Sequence, residues 1–188
     1  MTTAAPVDVD LDLDHSGMTT APPAHACVSS RRPTDLALIV RRLVAHRDNW
    51  TPLVRFNPTR RSSMLLDATS DYQAWLLTWL PGQSTDLHDH GNSAGAFTVV
   101  AGVLTELTVV PGRSEPLRPT ALANPTAFAP GQVRSFGPAH VHDISNTANA
   151  PAVSIHVYTP ALKFMRRYAL DPHAGLVEIG RERAGVDW

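Results

Sequence analysis

Two short histidine clusters stand out along the chain, Leu87-His88-Asp89-His90-Gly91 and Ala139-His140-Val141-His142-Asp143. On an extended strand, residues i and i+2 point to the same face, so each cluster can aim two imidazoles into one space. Imidazole is the commonest protein ligand for borderline transition metals. A single His-x-His pair would be weak evidence, because such pairs often sit on surfaces. Two of them in one small chain point to a metal centre. A third polar set, Ser154, His156 and Tyr158, alternates in the same way along Ser154-Ile155-His156-Val157-Tyr158. On a strand these three share a face and can form a hydrogen-bonded row.

The elements that must position these residues are legible in the surrounding pattern. Pro33-Thr34-Asp35 predicts a helix start, with Thr34 as cap and Asp35 favourable at the positive end. Leu36, Ile39, Val40, Leu43 and Val44 recur at helical spacing, and the helix should end near His46 or Arg47. After Trp50 the pattern changes to short apolar runs broken by Pro, Gly, Asn and Asp. Strands are expected at 64–66, 72–79, 95–100, 103–110, 120–128, 132–136, 140–145 and 152–159. Turn pairs such as Pro81-Gly82, Pro111-Gly112 and Pro130-Gly131 separate them. No helices alternate with the strands, so the pattern predicts an all-β sandwich or barrel rather than a parallel α/β sheet.

The chain has 188 residues, 43% of them hydrophobic and 18% charged, enough to fill one core and too apolar for disorder throughout. The expected organisation is a disordered acidic and Pro-rich tail over 1–33 and a single domain over 34–188. The tail carries Asp8, Asp10, Asp12 and Asp14 in alternation. A calcium loop starting at Asp8 would need Gly and Glu where Leu13 and Thr19 stand, so that reading fails. The formal charge is −1 and the basic residues are scattered, which gives no nucleic-acid footprint. The longest apolar runs, such as Ala74-Trp75-Leu76-Leu77, fall far short of the roughly 18 residues a membrane helix needs. The one cysteine, Cys27, cannot form an intramolecular disulfide and reads as a bystander thiol. No basic stretch followed by an apolar one opens the chain, so a cytoplasmic location is expected.

The spacing around the histidines resembles a known superfamily. Gly82, five residues, His88, Asp89, His90, four residues, Gly95, six residues and Gly102 resembles the first cupin motif. Gly131, five residues, Gly137-Pro138-Ala139, His142 and then Asn146 resembles the second. The resemblance covers roughly residues 60 to 160 and implies a jelly-roll barrel with a metal in its mouth. Most metal cupins hold a glutamate ligand where this chain has Gly95. A site left with His88, His90 and His142 is similar to that of the cysteine dioxygenase family of thiol dioxygenases, and Ser154-x-His156-x-Tyr158 resembles that family's Ser-x-His-x-Tyr strand. The resemblance implies a Fe2+ cofactor, a small thiol and O2 as substrates, and a sulfinic acid as product. It implies that Tyr158 offers its hydroxyl to the reacting groups, that His156 holds that hydroxyl, and that Ser154 supports His156. The family also binds a substrate carboxylate through an arginine shortly before the strand that leads to the first motif. Arg61 is the residue assigned here, with Arg60 beside it. Some members carry a cysteine in the place of Gly95, cross-linked to the tyrosine; that link cannot form in this chain.

The remaining chemistry-bearing residues receive structural readings. Asp89 should point away from its histidine neighbours. His140 shares the expected face of His142 and is placed at the rim. Glu106 lies too far beyond the His-x-His pair to replace the missing ligand and is expected at an outward or rim position. Trp75, Trp79 and Phe97 read as barrel packing. Leu162, Met165 and Tyr168 are expected on a short helix or strand, with residues 175–188 closing an edge or fraying. Cupins often pair through sheet edges, which leaves monomer and homodimer both open. Two other functions stay open: a metal-dependent cupin enzyme acting on a non-thiol substrate, and a cupin that binds a small molecule without turnover.

Overall fold

The computed structural model describes residues 35–110, 121, 122 and 124–187. The expected tail and the expected cap Thr34 lie outside them. Helix α1 spans Leu36–Ala45, and its N-cap is Asp35, whose carboxylate accepts the Leu38 amide at 3.1 Å. A short helix α2, Arg47–Trp50, and one 3-10 turn, Thr51–Leu53, lead into the strands.

These are β1 Ser62–Ala68, β2 Gln73–Trp79, β3 Ala94–Ala101, β4 Leu104–Val110, β5 Ala121–Leu122, β6 Thr126–Phe128, β7 Val133–Phe136, β8 His142–Ser145, β9 Ala152–Thr159, β10 Phe164–Asp171 and β11 Gly175–Arg183. The expected strand at 120–128 is two pieces, β5 and β6. The expected strand at 140–145 begins only at His142, which takes His140 off it. The segment after Pro160 is a β-hairpin, β10 paired with β11 from Phe164↔Arg183 to Asp171↔Gly175. At its turn Asp171 accepts the amides of His173 and Ala174.

The first sheet is antiparallel in the order β1-β2-β9-β3-β7. Its central strands are buried on both faces. One face packs under α1 through Ala74, Ala96 and Val157 against Leu36 and Val40. The other, carried by Trp75, Leu77, Trp79, Phe97, Val99 and Tyr158, lines the barrel interior. Burial on both faces is why β2, β3 and β9 read as nearly continuous apolar runs rather than clean alternations.

In the second sheet β4 pairs with β5, β6 and β8. Residues 83–90 then run beside β8, with bridges Ser84↔Ser145 and His88↔His142, and His88 also bridges to Arg167 on β10. The segment that carries the first histidine cluster is thereby held between β8 and the terminal hairpin. The two sheets face each other in a cupin-type jelly-roll barrel. No helix among the described residues is long and apolar enough to cross a membrane.

Candidate metal centre

His88 and His142 meet through a reciprocal backbone pair, each amide donating to the other's carbonyl at 2.9 and 3.0 Å. This brings the two histidine clusters, more than fifty residues apart in the chain, side by side. Asp86 adopts a left-handed backbone, φ 59°, uncommon for a residue other than glycine. Its carbonyl accepts Nδ1–H of His88 at 2.9 Å, which leaves Nε2 of that ring free to face inward. Between the two rings Asp89 turns the other way. It accepts from the Arg166 side chain at 2.5 Å, from the Tyr168 hydroxyl at 2.9 Å and from the Gly91 amide at 3.0 Å. Asp89 thus bolts the segment to β10, the structural part expected of it.

His88, His90 and His142 are buried, and their ligand atoms lie within 4.8 Å of one another. Burial is the main cause that depresses the pKa of His88 and His90 far below its ordinary value; in His142 burial outweighs the opposing hydrogen bond to Glu106 and lowers the pKa as well. All three are therefore neutral imidazoles with lone pairs to offer. His90 is only 1% exposed, yet neither of its ring nitrogens has a hydrogen-bond partner. A buried polar atom left unpaired is costly, and a metal ion at this point would relieve that cost. The donor set therefore fits a borderline transition metal.

Phe136 stacks on His90 with centroids 4.9 Å apart. Its ring also fills the space beside Gly95. A Cβ added at Gly95 would meet Phe136 at 2.4 Å and Tyr158 at 3.1 Å. A side chain at position 95 would therefore require the end of the Phe136 ring to move.

The expectation for Glu106 is overturned. On β4 it stands opposite Ile144, faces the interior with Leu104, and is 2% exposed. Its Oε1 accepts Nδ1–H of His142 at 2.8 Å and lies 2.9 Å from Nε2 of His140; Oε2 accepts Nε–H of Arg134 at 2.9 Å. Burial works against its charge, but the hydrogen bonds from His140 and His142 and the Arg134 cation outweigh it. They hold the carboxyl well below the usual carboxylate range. His140 is stacked on Phe136 at 4.9 Å and sits near the rim as expected, reached from a turn rather than from a shared strand face.

On the facing sheet, Trp79 Nε1–H donates to Ser154 Oγ at 2.9 Å. Ser154 Oγ lies 2.8 Å from His156 Nε2, and His156 Nδ1 lies 3.4 Å from the Tyr158 hydroxyl. The Tyr158 ring reaches His90, with centroids 4.9 Å apart. Burial lowers the His156 pKa to about 3 and raises that of Tyr158 well above its ordinary value, so both stay neutral at physiological pH. Arg61, Leu77, His88, His142, His156 and Tyr158 are among the residues around one small cavity. Its free volume is about 10 Å³, at the limit of one water molecule. The Arg61 guanidinium lies 5.8 Å from the Trp79 ring centroid. Burial lowers its pKa, as does the nearby Arg167, yet an arginine keeps its charge throughout the physiological range.

Residues 33–171 match the model of the family described as cysteine dioxygenase type I. The chain belongs to the cysteine dioxygenase type I family. Solved structures with some likeness include a protein from Thermus thermophilus, at 22% identity, covering 59% of this chain and 93% of that one, with TM-score 0.46. A double-stranded β-helix protein from Klebsiella pneumoniae shows 21% identity over 58% and 85%, with TM-score 0.45. A cupin superfamily protein from Desulfitobacterium hafniense shows 12% identity over 59% and 87%, with TM-score 0.45. They bear on neither metal nor substrate.

Within the cysteine dioxygenase frame, the structure brings together His88, His90 and His142, the group that could hold the family's metal. Ser154, His156, Tyr158 and Arg61 lie at the same cavity or within hydrogen-bond reach of its wall. Two residues escaped the sequence reading, Glu106 and Phe136. The signal for Glu106 was its spacing of two from Leu104, but Leu107 suggested the opposite face. Nothing in the sequence distinguished Phe136 from ordinary packing.

Proposed function

We propose that the protein is a ferrous-iron thiol dioxygenase that converts a small thiol bearing a carboxylate, such as cysteine or 3-mercaptopropionate, into its sulfinic acid. The observation that carries this reading is the three-histidine group set against Tyr158 in a chain of the cysteine dioxygenase family. Both atoms of O2 are transferred to the sulfur of a thiolate, so the overall change balances without another reductant. His88, His90 and His142 would hold ferrous iron, which would supply the redox-active centre for this transfer.

The other parts of the reaction belong to the chain. Three neutral imidazoles, His88, His90 and His142, would leave such an ion its full charge, which would favour an anionic thiolate. Arg61 is the carboxylate anchor, because a half-buried guanidinium at the cavity wall offers charge-assisted, two-pronged hydrogen bonds. Tyr158, neutral and held by His156, offers its hydroxyl proton to the reacting groups as they accumulate negative charge. Ser154 gives its own hydrogen to His156 Nε2, which puts the ring hydrogen on Nδ1, toward Tyr158. Trp79, a donor only, turns Ser154 to that task. Leu77, Ile144 and Met165 give the cavity its apolar wall. Its small volume selects small substrates, and the flexible Met165 side chain gives way to admit them.

The test is oxygen uptake by the iron-loaded protein offered a panel of thiols with and without a carboxylate. Uptake matched by sulfinic acid, preferring carboxylate thiols in the wild type and losing that preference in Arg61→Gln, supports the assignment. No uptake with any thiol from a protein that holds ferrous iron would move the function to another metal cupin activity or to binding without turnover.

A further inference from the structure

Glu106 is a buried carboxylate with no part in the proposed reaction. It lies on the far side of His142 from the cavity. All three side chains around it bring N–H groups: Arg134 Nε to one oxygen, and His140 Nε2 and His142 Nδ1 to the other. A carboxylate has only acceptor positions and suits three donors; an amide would turn its NH2 against at least one of them. A plain structural ion pair would need only Arg134, which is 37% exposed and engages Oε2 alone. The oxygen aimed inward is given over to the two histidines.

We propose that Glu106 is a positioning residue for the metal centre. It fixes the hydrogen of His142 on Nδ1 and so turns Nε2 toward His88 and His90, while His140 and Arg134 hold the carboxylate in place. The strand register supports this. Glu106 is opposite Ile144, which lies two residues from His142 on the same face of β8. His88 is set by a parallel device, with Nδ1 given to the Asp86 carbonyl. The carboxylate also brings negative charge close to a site of three neutral ligands without filling a coordination position. Partners of this kind on ligating histidines are worth 10- to 100-fold in metal affinity. The inference rests on the metal-centre reading of the proposed function.

The test uses Zn2+ with the full chain, in competition with a chromophoric chelator, and needs no turnover. The wild type should take one zinc per chain. Glu106→Gln and Glu106→Ala should bind about 10- to 100-fold more weakly, while His140→Ala should lose less. In proton–nitrogen spectra of the zinc-loaded, histidine-labelled protein, the wild type should show one more exchange-protected Nδ1 proton than Glu106→Ala. If those variants do not fold, Glu106→Asp keeps the charge but withdraws it by one methylene, and should give an intermediate loss. Affinity within twofold of wild type in every folded variant, with the spectrum unchanged, would overturn the positioning role. Two zinc ions in the wild type and one in Glu106→Ala would overturn it in another way, by making Glu106, His140 and His142 a second ion site. A wild type that takes no zinc, and behaves like His90→Ala, would remove the metal centre and this role with it.

Discussion

His90 carries two buried ring nitrogens without a hydrogen-bond partner, and it is held instead by flat contacts with Phe136 and Tyr158. Its fit to the fold is therefore one of shape, and its chemistry is unspent. His90→Ala should abolish stoichiometric iron binding while the apo protein still folds; iron content after gel filtration reads the outcome, and a full complement of iron would remove His90 from the ligand set. Tyr158 is the converse case. Its hydroxyl lies beside His156 and its ring packs beside His90. Tyr158→Phe should leave iron content unchanged and slow turnover by about 10²-fold or more. An unchanged rate in steady-state oxygen uptake would strip Tyr158 of its part.

Strand β9 serves two purposes at once. Val153, Ile155 and Val157 face the helical layer, while Ser154, His156 and Tyr158 face the interior. Phe97 on the neighbouring strand β3 pairs with His156 in register and stacks on its ring at 5.1 Å. Phe97 is fully buried, so Phe97→Ala should cost about 3–5 kcal/mol of stability, measured by denaturant unfolding of the apo protein. It should also slow the iron-loaded protein, because His156 loses the surface that keeps its ring upright. Much of this element was legible from the residues: the alternation of Ser, His and Tyr assigns one face directly. The same rule failed on β4. Leu104 and Leu107 lie three apart, so the apolar residues point to opposite faces and leave the parity of Glu106 undetermined until the pairing with β8 sets it. The terminal hairpin was hidden for a different reason. Arg166 and Arg167 interrupt its apolar pattern, yet they face partners, Asp89 far back in the chain and Glu182 on the other strand of the hairpin.

On the scale of the whole molecule, the chemistry is divided between facing sheets. His142 comes from the second sheet, His88 and His90 come from the segment bridged to it, and the row ending at Tyr158 comes from the first. The interior of the barrel is the place where the two halves meet. A metal that joins the residue 83–90 segment to β8 adds stability only to the folded state. At free metal 100 times the dissociation constant this linkage amounts to about 2.7 kcal/mol. The melting temperature of the wild type should therefore rise with added metal and fall with chelator, and that of His90→Ala should respond to neither. A wild-type melting curve indifferent to metal would contradict the linkage.

The contact between Phe136 and Gly95 also constrains the routes by which this site can change. A side chain at position 95 has nowhere to go while the Phe136 ring occupies the space its first carbon would need. Substitution at 95 alone is penalised whatever its chemistry, whereas a smaller residue at 136 opens the space first. The two positions are thus coupled. A larger residue at 95, such as a carboxylate or a cysteine beside Tyr158, calls for a displaced or smaller side chain at 136.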